Sequence, residues 1–188
     1  MENRLLFFSS KYNNLPRYIS YHYQINLSLE TKPNTILELG KGNGVFTNFF
    51  KELLGEENVV SIDHNAGLNP DVVGDIRKLR TASPEYDLVT AFEILEHIPF
   101  ADFVKLVPIL HHATNEYVII SLPINKNYFG ERKGKLHAGH EWEINDENRL
   151  TDVRALLDTH FVIEKEVNPK ENPYHYFFVL RKRGYDEI

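Results

Sequence analysis

Three glycines at alternate positions, Gly40, Gly42 and Gly44, follow an apolar run and a carboxylate, Glu38, in ILELGKGNG (36–44). Glycines so placed let backbone N–H groups approach a ligand that a Cβ would hold away, as nucleotide-binding turns do. Two further acids stand at the ends of apolar runs, Asp63 after VVSI and Asp75 after DVVG. An ionised carboxylate has lone pairs for two hydroxyl donors at once. Glu93, Glu96 and His97 follow in FEILEH, and His137 and His140 in KLHAGHEWEIN. Carboxylates and imidazoles are the groups that move protons or hold metal ions. The glycine spacing disfavours one ligand class. In the dinucleotide fingerprint G-x-G-x-x-G/A the third small residue falls five after the first. Here that position is Val45, and the third glycine comes one residue early.

The elements that must hold these residues are legible as a rhythm. Short β-rich runs, TILEL (35–39), VVSID (59–63), DVVGD (71–75), YDLVTAF (86–92) and YVIISLP (117–123), alternate with longer segments. Near-continuous apolar runs predict strands buried on both faces, as in a parallel sheet covered by helices. VFTNFFKELLG places Val45, Phe46, Phe49, Phe50, Leu53 and Leu54 on one helical face, with Gly55 as its stop. The glycine turn therefore lies between a strand and a helix, where ligand loops of α/β sheets lie. EILEHIPFADFVKLVPILHHA predicts two helical pieces, with Asp102 as a cap and Pro108 as a kink or break. An irregular insert (124–145) precedes a helix over NDENRLTDVRALLD. Two final runs, HFVIEKEV (160–167) and PYHYFFVLRK (173–182), are joined by so short a turn that they must be antiparallel. The fold class expected is α/β. It is a Rossmann-like, seven-stranded, mostly parallel sheet with helices on both faces and an antiparallel C-terminal hairpin.

Length and composition set the outer bounds. With 188 residues the chain is read as one domain, residues 1–188, with an N-terminal cap segment (1–30) and the insert (124–145). A net charge of −6 argues against nucleic acid held by a broad basic face. The absence of cysteine removes thiolate catalysis and Cys-ligated zinc. The apolar run 5–8 is too short for a signal core or a membrane span, so a cytoplasmic location and no membrane partner are expected.

The pattern E-x-G-x-G-x-G resembles motif I of the class I S-adenosylmethionine (SAM)-dependent methyltransferases, and the resemblance extends along most of the chain. It implies SAM as cofactor. It places Glu38, Gly40, Gly42 and Gly44 at the turn, and Asp63 on the ribose hydroxyls with His64 beside it. It places Asp75 and Ile76 near the adenine, and Ala91, Phe92 and Glu93 beside the methionine part. Lys41 stands where many members carry a small residue, and the usual Pro-Gly-Gly turn before strand five is replaced by HHATNEYVII.

The reaction implied is in-line methyl transfer to a small-molecule or sugar-containing acceptor, in which alignment of the reactants supplies much of the rate. A base is needed only for an acceptor protonated at neutral pH. His140 and His97 are the catalytic candidates, His97 also reading as a helix-start residue. His111 and His112 read as surface or dipole-complementing residues at a helix end. His160 and His175 read as ordinary strand residues. Glu93, Glu96, His97 and His140 look like the ligand set of metal-dependent small-RNA 2′-O-methyltransferases. No metal ligand is assigned, because the late histidines are spaced differently and the charge disfavours RNA. Tyr18, Tyr21 and Tyr23 are read either as a cation–π lid over a sulfonium or as packing against the sheet. A non-catalytic SAM-binding module, a metal-dependent 2′-O-methyltransferase-like enzyme and, last, a nicotinamide-dependent oxidoreductase are the competing functions.

Overall fold

The computed structural model describes residues 9, 10, 12–79, 86–124, 136, 137 and 139–184. Much of the expected insert, residues 125–135 and 138, lies outside the described residues, as do residues 1–8 and 11 of the expected cap. The elements run α1 (Leu15–Glu30), β1 (Ile36–Leu39), α2 (Val45–Leu54), β2 (Val59–Asp63), β3 (Val72–Val73) and β4 (Tyr86–Phe92). They continue α3 (Phe100–Ala113), β5 (Thr114–Pro123), α4 (Glu147–Asp158), β6 (Phe161–Val167) and β7 (His175–Lys182).

Seven strands form a sheet in the order β3-β2-β1-β4-β5-β7-β6. The pairings from β3 to β5 are parallel, while β7 runs antiparallel to both β5 and β6. The order reverses at β1 and β4. A ligand crevice opens at such a switch point, beyond the C-terminal ends of the strands.

Period-two alternation divides the core between the two sheet faces. Ile36, Leu88, Ile119 and Phe177 pack with Leu27 of α1 and with Phe46 and Phe50 of α2. Leu37, Leu39, Val89, Val118 and Phe178 pack with α3, α4 and Trp142 on the other face. Glu38 shares its face with Ile36, which sets its carboxyl beneath α2.

Three local expectations are corrected. The run 71–75 is not a buried strand: only Val72 and Val73 pair, and they are 46% and 59% exposed, because β3 is the outer strand of the sheet. Pro108 does not break its helix; α3 is continuous through it. The lost N–H would have met the carbonyl of Val104, and both residues face water, which solvates the freed oxygen. Asp102 is not the cap of α3. Pro99 precedes the helix, and Asp102 lies in its first turn, accepting from Lys105 Nζ at 3.0 Å. Gly55 ends α2 as expected, and Asp146 caps α4 by accepting from the Arg149 amide at 2.8 Å. No helix among the described residues is long and apolar enough to cross a membrane.

Candidate active site

The glycine turn leaves β1 with three left-handed residues, Gly40, Gly42 and Gly44, at φ +86°, +56° and +78°. At Gly40 close approach adds to the backbone demand, since a Cβ there would lie 3.1 Å from the Ile94 side chain. At Gly42 the same atom would meet only the Tyr12 hydroxyl, 4.0 Å away. The Gly42 amide donates to Asp63 Oδ2 at 3.3 Å, and the Asn65 amide donates to Asp63 Oδ1 at 2.9 Å. Two backbone donors thus fix the Asp63 carboxylate at the end of β2, with lone-pair capacity left for a ligand. Lys41, the odd residue of the turn, donates from Nζ to the Asn69 carbonyl at 2.6 Å and ties the turn to the loop after β2.

Glu38 is buried and accepts from the Thr47 hydroxyl on α2. Burial pushes its carboxyl up to about 8, against the pull of Thr47 and Lys41.

These residues open on a cavity of about 730 Å³. Glu38, Gly40, Lys41, Gly42, Asp63, His64, Asn65 and Leu68 line one part. Phe92, Glu93, Glu96, His97, His137, His140 and Tyr174 line another, and Tyr12, Arg17, Tyr21 and Gln24 complete the wall. Four expected cofactor residues stand outside the wall. Gly44 caps α2, and Ala91 is fully buried inside β4. Ile76 packs in the core. Asp75 caps the turn that follows β3 and receives two bonds from the Arg77 guanidinium, which holds its carboxyl down at about 2.

At the end of β4, Glu93 adopts φ +53°, a left-handed backbone that costs a non-glycine residue roughly 1–2 kcal/mol. Ser121 of β5 fixes it twice. The Glu93 amide donates to Ser121 Oγ at 3.1 Å, and that hydroxyl donates to Glu93 Oε1 at 2.8 Å. Glu93 Oε2 lies 2.5 Å from His175 Nε2 and 3.8 Å from the Arg17 guanidinium. Burial raises the Glu93 carboxyl, but His175, Arg17 and Ser121 outweigh it and hold it below its usual range.

Glu96 is 1% exposed, and its Oε2 meets no hydrogen-bond partner among the described residues. Burial, with the charge of Glu93 added, raises its carboxyl well above the usual range. A buried carboxyl oxygen without a partner is costly unless a ligand completes it. Glu96, His97 and His140 offer ligand atoms within 4.8 Å of one another, as do His137, His140 and Glu143.

The segment after β5 is fastened to the loop after β4. Trp142 is buried, and its Nε1–H reaches the carbonyls of Leu95 and Ile98, each at 3.1 Å. Its ring stacks on Phe103 at 5.5 Å. The Glu141 amide donates to the Glu96 carbonyl at 2.7 Å. His97 and His140 therefore meet edge to face, with ring centroids 4.9 Å apart. His97 Nδ1–H donates to the Gly139 carbonyl at 2.8 Å. Burial lowers the His140 imidazole, helped by His97 and opposed by Glu143.

His175, read as an ordinary strand residue, lies in β7 and is bonded to Glu93, which lines the cavity; β7 inserts beside β5, with His175 in register with Pro123. One histidine reading is corrected. His111 is buried, not at the surface, and Nε2–H reaches the Arg183 carbonyl at 2.9 Å. Of the three tyrosines, Tyr21 lines the cavity, Tyr18 is exposed, and Tyr23 stacks on Phe177 at 5.9 Å. Arg17, Tyr12 and Tyr174 carry no local signal of a site role, whereas the acid–histidine density of HAGHEWE marks Glu143.

No protein-family model matches the sequence, and no curated protein matches it. The fold has clear counterparts among solved structures. The N-methyltransferase NodS from Bradyrhizobium japonicum WM9, in complex with S-adenosyl-L-homocysteine (SAH), matches with a TM-score of 0.68 and 15% identity, over 91% of this chain and 89% of that one. The methyltransferase domain of bacterial CtHen1-C matches with a TM-score of 0.61 and 14% identity, over 87% and 97%. The 1,6-didemethyltoxoflavin-N1-methyltransferase of Burkholderia thailandensis, bound to 1,6-didemethyltoxoflavin and SAH, matches with a TM-score of 0.59 and 18% identity, over 80% and 71%. With its glycine turn at the switch point and its reversed strand β7, the chain has the fold of the class I SAM-dependent methyltransferases.

Proposed function

We propose that the protein transfers a methyl group from SAM to a small-molecule or sugar-containing acceptor. The observation that carries this reading is the continuity of the cavity. One space is bordered by the glycine turn and Asp63 and also by Glu96, His97, His137 and His140. When bound, SAM supplies a sulfonium methyl: the methyl–sulfur bond breaks, its electron pair stays on sulfur, and an acceptor lone pair takes the methyl.

In this reading Asp63 accepts from the ribose hydroxyls, and Gly40 and Gly42 admit the cofactor close to the backbone. His64 lies beside the ribose, and Phe92 and Glu93 border the methionine part. Asp75, Ile76, Gly44 and Ala91 support the site from behind its wall. His140, with His97 beside it, takes the proton of a protonated acceptor. The rings of Tyr21 on α1 and of Tyr12 keep water from the reactants.

Calorimetric titration of the protein with SAH tests the cofactor. Binding that is weakened in Asp63→Ala supports the reading, and the absence of binding to wild type defeats it. Methyl transfer in a screen of metabolite acceptors then separates an enzyme from a non-catalytic SAM-binding module. Binding of a nicotinamide cofactor in place of SAH would favour the oxidoreductase.

A second reading is favoured by the convergence of Glu96, His97 and His140 on one point. Mixed carboxylate and imidazole ligands suit a divalent cation. Glu96 Oε2 has no hydrogen-bond partner among the described residues, and His97 Nδ1 is occupied by the Gly139 carbonyl, so Nε2 is the nitrogen of His97 that would serve as a ligand. A bound ion would lower the pKa of an acceptor hydroxyl. Calorimetry with Mn²⁺ on wild type and Glu96→Gln decides it: no heat with wild type removes the metal, and SAH binding is unaffected by that result.

A further inference from the structure

Glu143 lies one layer behind the cavity wall. Its side chain is 1% exposed, yet it sits between two imidazoles. Its Oε1 is 2.7 Å from His140 Nδ1, 2.7 Å from His137 Nδ1, and 2.9 Å from the His137 amide, which donates to it. The Tyr174 hydroxyl also lies 3.1 Å from His137 Nδ1. A carboxylate accepts and does not donate, so each Nδ1 facing it carries a hydrogen. In a neutral imidazole the other nitrogen, Nε2, is then an acceptor.

We infer that Glu143 is a positioning residue. It fixes the Nδ1–H tautomer of His140, so that the Nε2 lone pair is the one a cavity ligand meets. The inference rests on the reading that His140 faces an acceptor. His140 lines the cavity whereas Glu143 does not. Without Glu143, His140 is free to protonate Nε2 and offer its lone pair to the wrong side. His97 is set the same way by a different group, the Gly139 carbonyl. Two neighbouring rings in the wall thus share one tautomer through two independent acceptors. Carboxylates behind imidazoles act in this way both at general bases and at metal ligands.

Burying a carboxylate is costly unless donors satisfy it. The three donors to Oε1 account for its tolerance, but a loop fastening would use the same bonds. The two roles separate by spectroscopy. Trp142 is the single tryptophan of the chain, and its indole N–H, held by Leu95 and Ile98, reports the fastening of this loop.

The test is long-range ¹H–¹⁵N NMR of the histidine rings, with wild type, Glu143→Ala and Glu143→Gln compared at one pH. Wild type is expected to show His140 as Nδ1–H. Glu143→Ala is expected to shift its tautomer ratio on the order of tenfold toward Nε2–H, the effect of losing one charge-assisted bond. The His97 ring and the Trp142 indole signal should stay in place. Glu143→Gln keeps an accepting oxygen and should retain the Nδ1–H form. His140 found as Nε2–H in wild type overturns the inference, and this outcome needs no variant to fold. A displaced Trp142 signal with an unchanged His140 tautomer also overturns it and makes Glu143 a fastening only. Absence of SAH binding would instead defeat the methyl-transfer reading and leave the tautomer result standing.

Discussion

Glu93 Oε2 lies 2.5 Å from His175 Nε2, and this contact ties the end of β4, in the cavity wall, to the start of β7. Both side chains are nearly buried, at 12% and 5% exposure. Their union closes a chain that continues from His175 Nδ1 to the Ser20 hydroxyl on α1. Removal of His175 takes the shortest contact from a nearly buried carboxylate that keeps Arg17 and Ser121. His175→Leu is expected to destabilise the fold by roughly 1–3 kcal/mol. Glu93→Gln combined with His175→Gln should cost much less than the sum of the single changes, because the two are in contact. Urea unfolding of the four proteins checks this.

Asp63 is expected to govern cofactor affinity. Its carboxylate holds the Gly42 and Asn65 amides in place and retains capacity for hydroxyl donors. Asp63→Asn keeps an acceptor of the same shape, whereas Asp63→Ala removes both contacts. SAH affinity should fall about tenfold or more in Asp63→Ala, the effect of one to two lost charge-assisted bonds. Asp63→Asn should fall between it and wild type by calorimetry.

Stability should fall as pH rises through the range set by Glu38. Its carboxyl sits at about 8 in the fold, above the ordinary value of 4.5. Between those values the folded chain keeps a proton that the unfolded chain has released, so folding is disfavoured progressively as pH rises. The loss is complete above about 8. Glu38→Gln has no proton to lose there. Its denaturation midpoint should be flatter than that of wild type between about pH 5 and pH 8, and relatively higher at the upper end.

Two glycines of the turn should fail in different ways. Gly40→Ala forces a Cβ to 3.1 Å from Ile94 at φ +86°, and it should cost roughly 1–3 kcal/mol of stability. Gly42→Ala brings its methyl group 4.0 Å from the Tyr12 hydroxyl, an ordinary contact, at φ +56°, so its stability cost should be about 1 kcal/mol. The new methyl group intrudes on the cavity wall, so SAH affinity should fall more than stability. Thermal unfolding and SAH titration on the same samples separate the two effects.

Much of the framework was legible because it is set locally. Near-continuous apolar runs placed β1, β2, β4 and β5, two late runs joined by a short turn placed the C-terminal hairpin, and the glycine spacing placed the turn between β1 and α2. Val72 and Val73 are exposed because they lie on the outer strand, and a run of valines looks the same at the edge of a sheet as at its centre. Pro108 leaves α3 unbroken, and which side of a helix faces water is not written in the residues around a proline.

The sequence by itself determined the turn, Asp63 and the FEILEH segment, because each depends on backbone conformation and side-chain type within a few residues. Only the tertiary structure decided what surrounds them. Strand order put β7 next to β5 and so brought His175 to Glu93. Trp142 pinned the segment after β5 beneath the loop after β4, which set His140 against His97 and Glu143 behind it. Burial then raised Glu38 and Glu96, and an environment of that kind belongs to no single stretch of chain.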